Sequence, residues 1–287
     1  MIAQETYTLS NGVEIPKLGL GTWFIDDKDA AQAVKDAVES GYRHIDTAQA
    51  YGNEHGIGEG VRTCGLQREE IFVTTKLAAE MKSYDEAVAA ADESLQKMGL
   101  DYVDMILIHS PQPWADFGSE NRFFEGNKAA WKALEDAYKS GKFRAIGISN
   151  FQKEDIDSLL ESCSVVPLAN QVLAHVTNVP EELIRYSQEK GMLVEAYSPM
   201  GHGQLLKNEQ LLKMAQQYGV SLPQLCIRYT LQMGLLPLPK TANPQHMKSN
   251  AALDFVISDA DMNALSRMER IKDYGDASVF PVYRSGA

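Results

Sequence analysis

The run Val103-Asp104-Met105-Ile106-Leu107-Ile108 is almost continuously apolar, and a polar residue, His109, follows it directly. A run of this length without an alternating polar face predicts a strand that is covered on both sides, as strands of parallel sheets are. Seven further short apolar runs occur along the chain, at residues 18–20, 44–45, 71–73, 145–148, 168–172, 193–197 and 235–238. The sequence therefore predicts eight buried strands.

Segments of helical periodicity separate these runs. Residues 85–98, 128–139 and 181–190 each place apolar side chains at helical spacing, and Gly99, Gly141 and Gly191 follow them at or just beyond their ends. Eight strand–helix repeats in 287 residues predict a closed (β/α)₈ barrel, which is an α/β fold. We expect one domain over residues 1–287, and a doubly wound sheet is the alternative architecture.

Two features lie outside this repeat. Asn11-Gly12 stands between residues 7–9 and 13–15, which predicts an antiparallel hairpin before the first barrel strand. Residues 110–127, residues 198–208 and the tail after Ile271 are longer than ordinary connections. Long loops on a compact scaffold usually form lids or pocket walls.

The composition excludes several classes of protein. The chain is 44% hydrophobic and 23% charged, and its net charge of −12 disfavours nucleic acid and anionic membranes as partners. No stretch is apolar for long enough to span a membrane, and no secretion signal is recognisable. Cys64, Cys163 and Cys226 are far apart, so we expect a reducing, cytoplasmic location, no structural metal and a monomer.

Reactive or hydrogen-bonding side chains end nearly every predicted strand. In a barrel the carboxyl ends of the strands meet at one mouth, where the chemistry takes place. The residues at these positions are Asp46, Lys76, His109, Ser149, Asn150, Gln171, Tyr197, Ser198, Lys240 and Thr241. Each has an ordinary structural explanation, such as a solvated loop lysine or a helix cap at Asp46 or Asn150. It is much less common for all of these explanations to apply in the same protein, so the set as a whole indicates a functional site.

Acid catalysis is suggested by three of these side chains, those of Asp46, Lys76 and His109. A fourth, that of Tyr51, lies five residues beyond Asp46. A lysine beside a carboxylate and a tyrosine would lower the tyrosine pKa from its usual value near ~10, because the ammonium stabilises phenolate. Such a tyrosine can protonate a developing alkoxide. A neutral His109 could orient a substrate carbonyl by a hydrogen bond, while another group supplies hydride.

At these residues the sequence resembles the aldo-keto reductase family. The resemblance extends from about residue 7 to residue 270 and rests on several motifs in the family's order. They are Gly21-Thr22-Trp23, Asp46-Thr47-Ala48-Gln49-Ala50-Tyr51-Gly52-Asn53-Glu54, Gly99-Leu100-Asp101 leading to His109, Gly147-Ile148-Ser149-Asn150-Phe151, Asn170-Gln171, Ala196-Tyr197-Ser198-Pro199 and Pro239-Lys240-Thr241.

The resemblance implies interconversion of carbonyls and alcohols with NADPH or NADH. By position it implies a tetrad in which Tyr51 is the general acid, Lys76 tunes it, Asp46 holds Lys76, and His109 orients the carbonyl. It also implies the cofactor residues: Ser149, Asn150 and Gln171 at the carboxamide, Tyr197 beneath the nicotinamide, and Thr22, Trp23, Asp46, Ser198, Lys240, Thr241, His246 and Asn250 elsewhere along the nucleotide.

The phosphate end of this cofactor site departs from the family pattern. Neither Gly19-Leu20-Gly21 nor Gly56-Ile57-Gly58 completes a Rossmann fingerprint, so barrel loops must hold the dinucleotide. His246 stands where the family commonly has an arginine near the 2′-phosphate, and Ser249 replaces a carboxylate. Arginine offers a permanently charged fork that histidine lacks. Lys240 and Lys248 are candidates to compensate, although Lys248 is also explained as an exposed helix lysine. We expect NADPH to be preferred, with unusual tolerance of NADH.

The substrate side is less informative. Trp23, Tyr51, His109 and Trp114 are the expected pocket residues, with Phe117 or residues 280–283 as further candidates for an aromatic wall. They suit a small apolar or aromatic carbonyl compound. Two other functions compete with carbonyl reduction: a non-catalytic barrel that binds nicotinamide nucleotide and acts in regulation, and a glycosidase that uses Glu195 and Asp46 as paired carboxylates. The glycosidase would leave Lys76 and His109 without a role.

Overall fold

The computed structural model describes residue 2 and residues 5–284, which contain ten strands and ten α-helices. The strands are β1 (Thr6–Thr8), β2 (Glu14–Pro16), β3 (Leu20–Gly21), β4 (His44–Asp46), β5 (Phe72–Leu77), β6 (Val103–Ile108), β7 (Phe143–Ser149), β8 (Ala169–Leu173), β9 (Leu193–Tyr197) and β10 (Leu236–Leu238). The helices are α1 (Asp27–Glu39), α2 (Glu54–Thr63), α3 (Tyr84–Met98), α4 (Phe124–Lys139), α5 (Lys153–Leu160), α6 (Glu181–Glu189), α7 (Glu209–Gln217), α8 (Leu222–Gln232), α9 (Pro244–Ala251) and α10 (Asp259–Ser266).

The strands from β3 to β10 form a closed parallel barrel. They lie side by side in chain order, and every neighbouring pair is parallel. Closure occurs where Gly21 pairs with Lys240, and the Gly19 amide donates to the Pro237 carbonyl at 3.2 Å. The predicted (β/α)₈ barrel is confirmed. The doubly wound alternative is wrong, because an open sheet would leave β3 and β10 apart.

The hairpin of β1 and β2 covers the amino-terminal end of the barrel. The two strands are antiparallel, with Tyr7 opposite Ile15, as the Asn-Gly turn predicts. Leu9 and Ile15 pack with Phe72 and Met105 in the apolar lower half of the interior. The bottom of the barrel is therefore closed by apolar side chains, and its polar groups lie towards the carboxyl ends of the strands.

Two predicted element boundaries are wrong in a way that affects the site. The third barrel strand was expected at residues 71–73, but β5 extends to Leu77 and so contains Lys76 instead of ending before it. The polar residues Thr74, Thr75 and Lys76 do not end the strand, because each side chain is satisfied by a hydrogen bond. The partners of Thr74 and Lys76 lie on β4 in the barrel interior, and the partner of Thr75 is Glu54 on α2 outside the barrel. Helix α4 begins at Phe124, four residues before the predicted start, and this shortens the long connection after β6.

Close packing of α2 on α1 fixes the chain just after Tyr51. A Cβ atom at Gly56 would lie only 2.1 Å from the Asp27 carbonyl oxygen, so the two helices approach more closely than any larger residue allows. Asn53, which precedes α2, donates through Nδ2 to the carbonyls of Thr22 and Ile25 at 3.0 Å each. The segment that carries Tyr51 is thereby anchored to the loop after β3. No helix among residues 5–284 is both long and apolar enough to cross a bilayer.

Candidate active site

A buried ion pair occupies the upper end of the barrel interior. Lys76 Nζ, on β5, donates to Asp46 Oδ1 at the end of β4 over 2.6 Å, and both side chains are almost completely buried. The same ammonium donates to the Thr47 carbonyl at 2.9 Å and to Tyr51 Oη at 3.4 Å. Parallel pairing of β4 with β5 brings these side chains together at the barrel mouth. The ammonium is thus held directly beside the phenol.

The pKa of Tyr51 differs from the expectation that its lysine neighbour would lower it. Burial raises the Tyr51 pKa; Lys76 lowers it by a smaller amount, the Asp46 carboxylate raises it further, and the net value lies above the usual one. Burial also lowers the pKa of Lys76, but Asp46 and Tyr51 raise it by more than burial lowers it. The phenol is therefore protonated and the lysine charged at neutral pH.

A neutral imidazole faces this phenol. The ring of His109, the residue after β6, lies 5.6 Å from the Tyr51 ring and 5.0 Å from that of Trp114, centre to centre. Burial, with a smaller contribution from the Lys76 charge, holds the His109 pKa well below its usual range. Its backbone carbonyl accepts a hydrogen bond from Asn150 Nδ2 at 3.0 Å. A neutral histidine can donate to a bound oxygen without adding charge to the site.

A network of amide and hydroxyl groups continues along the ends of β7, β8 and β9. Ser149 Oγ donates to the Gln171 carbonyl at 2.9 Å, and Asn150 Nδ2 donates to Ser149 Oγ at 3.2 Å. Tyr197 Oη donates to Asn150 Oδ1 at 2.8 Å. These bonds fix the orientation of each side chain, so the edge of the cleft presents defined donors and acceptors.

Gln171 connects two carboxylates, that of Asp46 on the cleft wall and that of Glu195 buried beneath it. Its Nε2 donates to Asp46 Oδ2 at 2.9 Å and to Glu195 Oε2 at 2.7 Å. Glu195 is fully buried and is not part of the cleft wall. Asp46 is already paired with Lys76. The arrangement does not support a glycosidase, since neither carboxylate is free to attack or protonate a sugar.

One cleft of about 820 Å³ runs across the mouth of the barrel, a volume near the upper end of the range for small-molecule sites. All the predicted cofactor and pocket residues contribute to its wall: Thr22, Trp23, Asp46, Tyr51, His109, Trp114, Ser149, Asn150, Gln171, Tyr197, Ser198, Lys240, Thr241, His246 and Asn250. Lys76 is the exception in the predicted set, because it lies behind Asp46 and Tyr51. Phe117 borders a neighbouring cavity of about 420 Å³ instead.

Strained backbone concentrates at this cleft. Five non-glycine residues among those described have positive φ, and four of them contribute to the cleft wall: Phe24, Asn150, Ser198 and His202. Asparagine and histidine are enriched in the left-handed region, whereas Phe24 and Ser198 are residue types that adopt it rarely. Strain of this kind persists where the surrounding structure over-determines a site.

An aromatic cover closes one side of the cleft. It consists of Trp23, His202, Phe280 and Tyr283; the Trp23 ring lies 4.8 Å from that of Phe280 and 5.7 Å from that of His202. Tyr283 Oη and Ser198 Oγ share a hydrogen bond of 2.6 Å. The loop after β9 and the carboxyl-terminal tail thus meet over the barrel mouth, in agreement with the expectation that long connections form pocket walls.

The opposite end of the cleft lies against α9. It is lined there by Lys240, Thr241, His246, Ser249 and Asn250. His246 is exposed, and burial lowers the pKa of Lys240 below its usual value. Lys248 is exposed on α9 and is not among the residues that line the cleft.

The profile of the Aldo/keto reductase family matches residues 17–270. The chain belongs to this family. The expected aldo-keto reductase resemblance and enzyme class are confirmed.

Two proteins of Bacillus subtilis (strain 168) are similar along nearly their whole length. Glyoxal reductase is 39% identical over 96% of this chain and 98% of its own. The oxidoreductase YtbE is 41% identical over 92% of this chain and 93% of its own. The Bombyx mori aldo-keto reductase, whose crystal structure is a complex with NADP, superposes with a TM-score of 0.85 at 33% identity, over 98% of each chain.

Several wall residues of this aldo-keto reductase were not found from the sequence. They are Phe24, Ala50, Pro199, Met200, His202, Gly203, Leu206, Ser221, Pro223, Leu238 and Ser249. Phe280–Tyr283 also line the cleft and were expected only as further candidates for an aromatic wall. Most of them lie in loops without regular spacing. The length of the connection at residues 198–208 was a signal for the five of them that lie within it.

Proposed function

We propose that this aldo-keto reductase reduces the carbonyl group of a small apolar or aromatic aldehyde or ketone, with NADPH as the preferred reductant. The observation that carries the proposal is the protonated Tyr51 phenol, held beside the Lys76 ammonium and opposite a neutral His109 in one cleft. The intact set also disfavours a purely regulatory barrel, which would have no need of a buried ion pair beside a cleft phenol.

Tyr51 acts as the general acid. NADPH, when bound, supplies the hydride, and the carbonyl oxygen then gains negative charge that must be protonated. Tyr51 donates its phenolic proton to that oxygen, and the Lys76 ammonium stabilises the resulting phenolate. His109 donates a hydrogen bond to the same oxygen and so orients the carbonyl. Asp46 holds Lys76 in position.

The amide edge of the cleft suits the nicotinamide half of the cofactor. Ser149, Asn150 and Gln171 are fixed hydrogen-bonding groups that match a carboxamide. Tyr197 presents a ring held by Asn150, which suits stacking on a flat heterocycle. Thr22, Trp23 and Ser198 enclose the same half. The cleft is large enough to hold a ligand of the size of a dinucleotide.

Lys240, Thr241, His246 and Asn250 hold the phosphate end. Replacing His246 by Arg is expected to lower KM for NADPH about tenfold and to leave KM for NADH within about twofold. The reason is that a guanidinium provides charged, bidentate hydrogen bonds to a 2′-phosphate, which NADH lacks. Gln245→Arg adds the same charge at a neighbouring exposed position outside the cleft, so it is the matched control. Equal effects of His246→Arg on both cofactors would show that His246 does not meet the 2′-phosphate.

The pH dependence follows from the acid role. The protonated form of Tyr51 is the active one, so the rate of carbonyl reduction is retained below its pKa and lost above it. Because burial raises that pKa, we expect the loss only above about pH 10. Initial rates of carbonyl reduction measured up to about pH 11 would check this. A decline centred near neutral pH would contradict it.

The function is tested by following the loss of reduced-nicotinamide absorbance with a panel of aldehydes and ketones, each with NADPH and with NADH. We expect turnover with small apolar or aromatic carbonyls and a higher kcat/KM with NADPH. Absence of turnover across the panel, with NADPH still bound, would favour the regulatory barrel. We also propose that the chain works as a monomer on small molecules, which light scattering after size exclusion would check.

A further inference from the structure

Glu195 is a buried acid for which the proposed reaction has no use. It lies in β9, is fully buried, and accepts one hydrogen bond, from Gln171 Nε2 at 2.7 Å. Its other oxygen, Oε1, is buried without a hydrogen-bond partner among the described residues. A carboxylate with so little compensation is costly unless it serves a purpose or is neutral.

The place of Glu195 is directly below the nicotinamide half of the cleft. Gln171 is its register partner on β8, and Tyr197 follows it by two residues on the same face of β9. Alternate residues of a strand are roughly 7 Å apart, so the carboxyl group lies about one residue layer beneath the Tyr197 ring. Both Gln171 and Tyr197 line the cleft.

We propose that Glu195 is a buried counter-charge for the oxidised nicotinamide ring, so that its ionisation favours NADP⁺ over NADPH. The inference rests on the proposed function, since it assumes that nicotinamide lies over Tyr197. The oxidised ring carries one positive charge more than the reduced ring. A carboxylate below it therefore stabilises the oxidised cofactor selectively, and Coulomb attraction at this spacing is worth several-fold in affinity.

Burial and, after it, the neighbouring charges determine the pKa of Glu195. Burial, and then the charge of Asp46, raise the pKa of Glu195 to about 7 in spite of Gln171 and Lys76. Asp46 and Lys76 form an ion pair. Burial lowers the pKa of His44, which is on the same face of β4 as Asp46, to about 3. The neighbouring β10 residue, Leu236, carries no charge.

Two tyrosines near Glu195, Tyr197 and Tyr51, stay neutral. Burial raises the pKa of Tyr197 well above its usual value, and Tyr51 is likewise protonated. Around Glu195, the tyrosines, His44 and Lys76 thus hold constant charge near pH 7. Glu195 is the member of this cluster whose charge changes there.

The test is the ratio of Kd for NADP⁺ to Kd for NADPH, measured by quenching of tryptophan fluorescence between about pH 6 and 8. We expect the wild-type ratio to fall about three- to tenfold as the pH rises. Glu195→Gln, which resembles the protonated acid, should keep the ratio constant at the value found at low pH. Groups that meet parts common to both cofactors, such as His246 at the phosphate end, cancel in the ratio.

Glu182→Gln is the matched control, because it makes the same substitution at an exposed residue of α6 outside the cleft; it should keep the wild-type pH dependence. A second measurement avoids any variant: calorimetry of wild-type protein in two buffers should show more proton release on binding NADP⁺ than on binding NADPH near pH 7. A flat wild-type ratio, or an unchanged slope in Glu195→Gln, would overturn the inference. Failure of the wild type to bind either cofactor would instead overturn the proposed function.

Discussion

Tyr51→Phe should lower kcat for carbonyl reduction by about 10²- to 10⁴-fold, the range that general acids contribute. The variant removes one hydroxyl group and keeps the ring that contacts Trp23 and His109. Kd for NADPH should therefore stay within about twofold. Steady-state rates give the first quantity and fluorescence titration gives the second.

The donors around Tyr51 explain why no other group should replace it. Lys76 has three N–H donors, and they are directed at Asp46, the Thr47 carbonyl and Tyr51. Since the phenol oxygen accepts from Lys76, its own proton is free to be donated into the cleft. His109 is neutral and gives up its remaining proton much less readily.

Tyr84→Phe is the matched control for this prediction. Tyr84 is an exposed tyrosine at the start of α3 whose hydroxyl donates to Asp136 at 3.1 Å, away from the cleft. The Tyr84→Phe variant also loses one phenolic oxygen, but outside the cleft, so its kcat should remain at the wild-type value. Near-normal turnover in Tyr51→Phe would refute the assignment of Tyr51 as the acid.

The barrel was predictable because its buried strands are continuous apolar runs. The run at residues 103–108 matches β6 at both ends, and residues 193–197 match β9. The end of β5 was not predictable, because Thr74, Thr75 and Lys76 are polar and yet buried. A buried strand normally ends where its residues become polar. Here the strand continues because β4 and α2 supply hydrogen-bond partners for the polar side chains.

The candidate site likewise has features that the sequence predicts and features that it does not. Positions at strand ends, such as Asp46 and His109, follow from the barrel geometry and from the family motifs. The direction of the Tyr51 pKa shift did not follow, because it depends on how far burial outweighs one neighbouring charge. The role of Gln171 as a bridge between Asp46 and Glu195 also required coordinates, since the three residues lie on separate strands.

Lys76→Met should lower the free energy of unfolding by about 3–5 kcal/mol, the usual effect of removing one partner of a buried ion pair. The Asp46 carboxylate would remain buried, with Gln171 as its side-chain donor. We also expect kcat to fall at least about 10²-fold, because the phenolate formed from Tyr51 would lose its stabilising charge. Urea unfolding and steady-state kinetics measure the two effects.

The double variant Asp46→Asn/Lys76→Met separates these two effects. Asparagine is neutral, and its side-chain oxygen can still accept the hydrogen bond from Gln171, so the buried charge disappears with its partner. Most of the lost stability should return, because the cost of Lys76→Met lies in the uncompensated carboxylate and not in lost packing. The rate should not return, because no ammonium stands beside Tyr51. If stability stayed low, the buried charge would not be its cause; if the rate recovered, Lys76 would have no electrostatic part in catalysis.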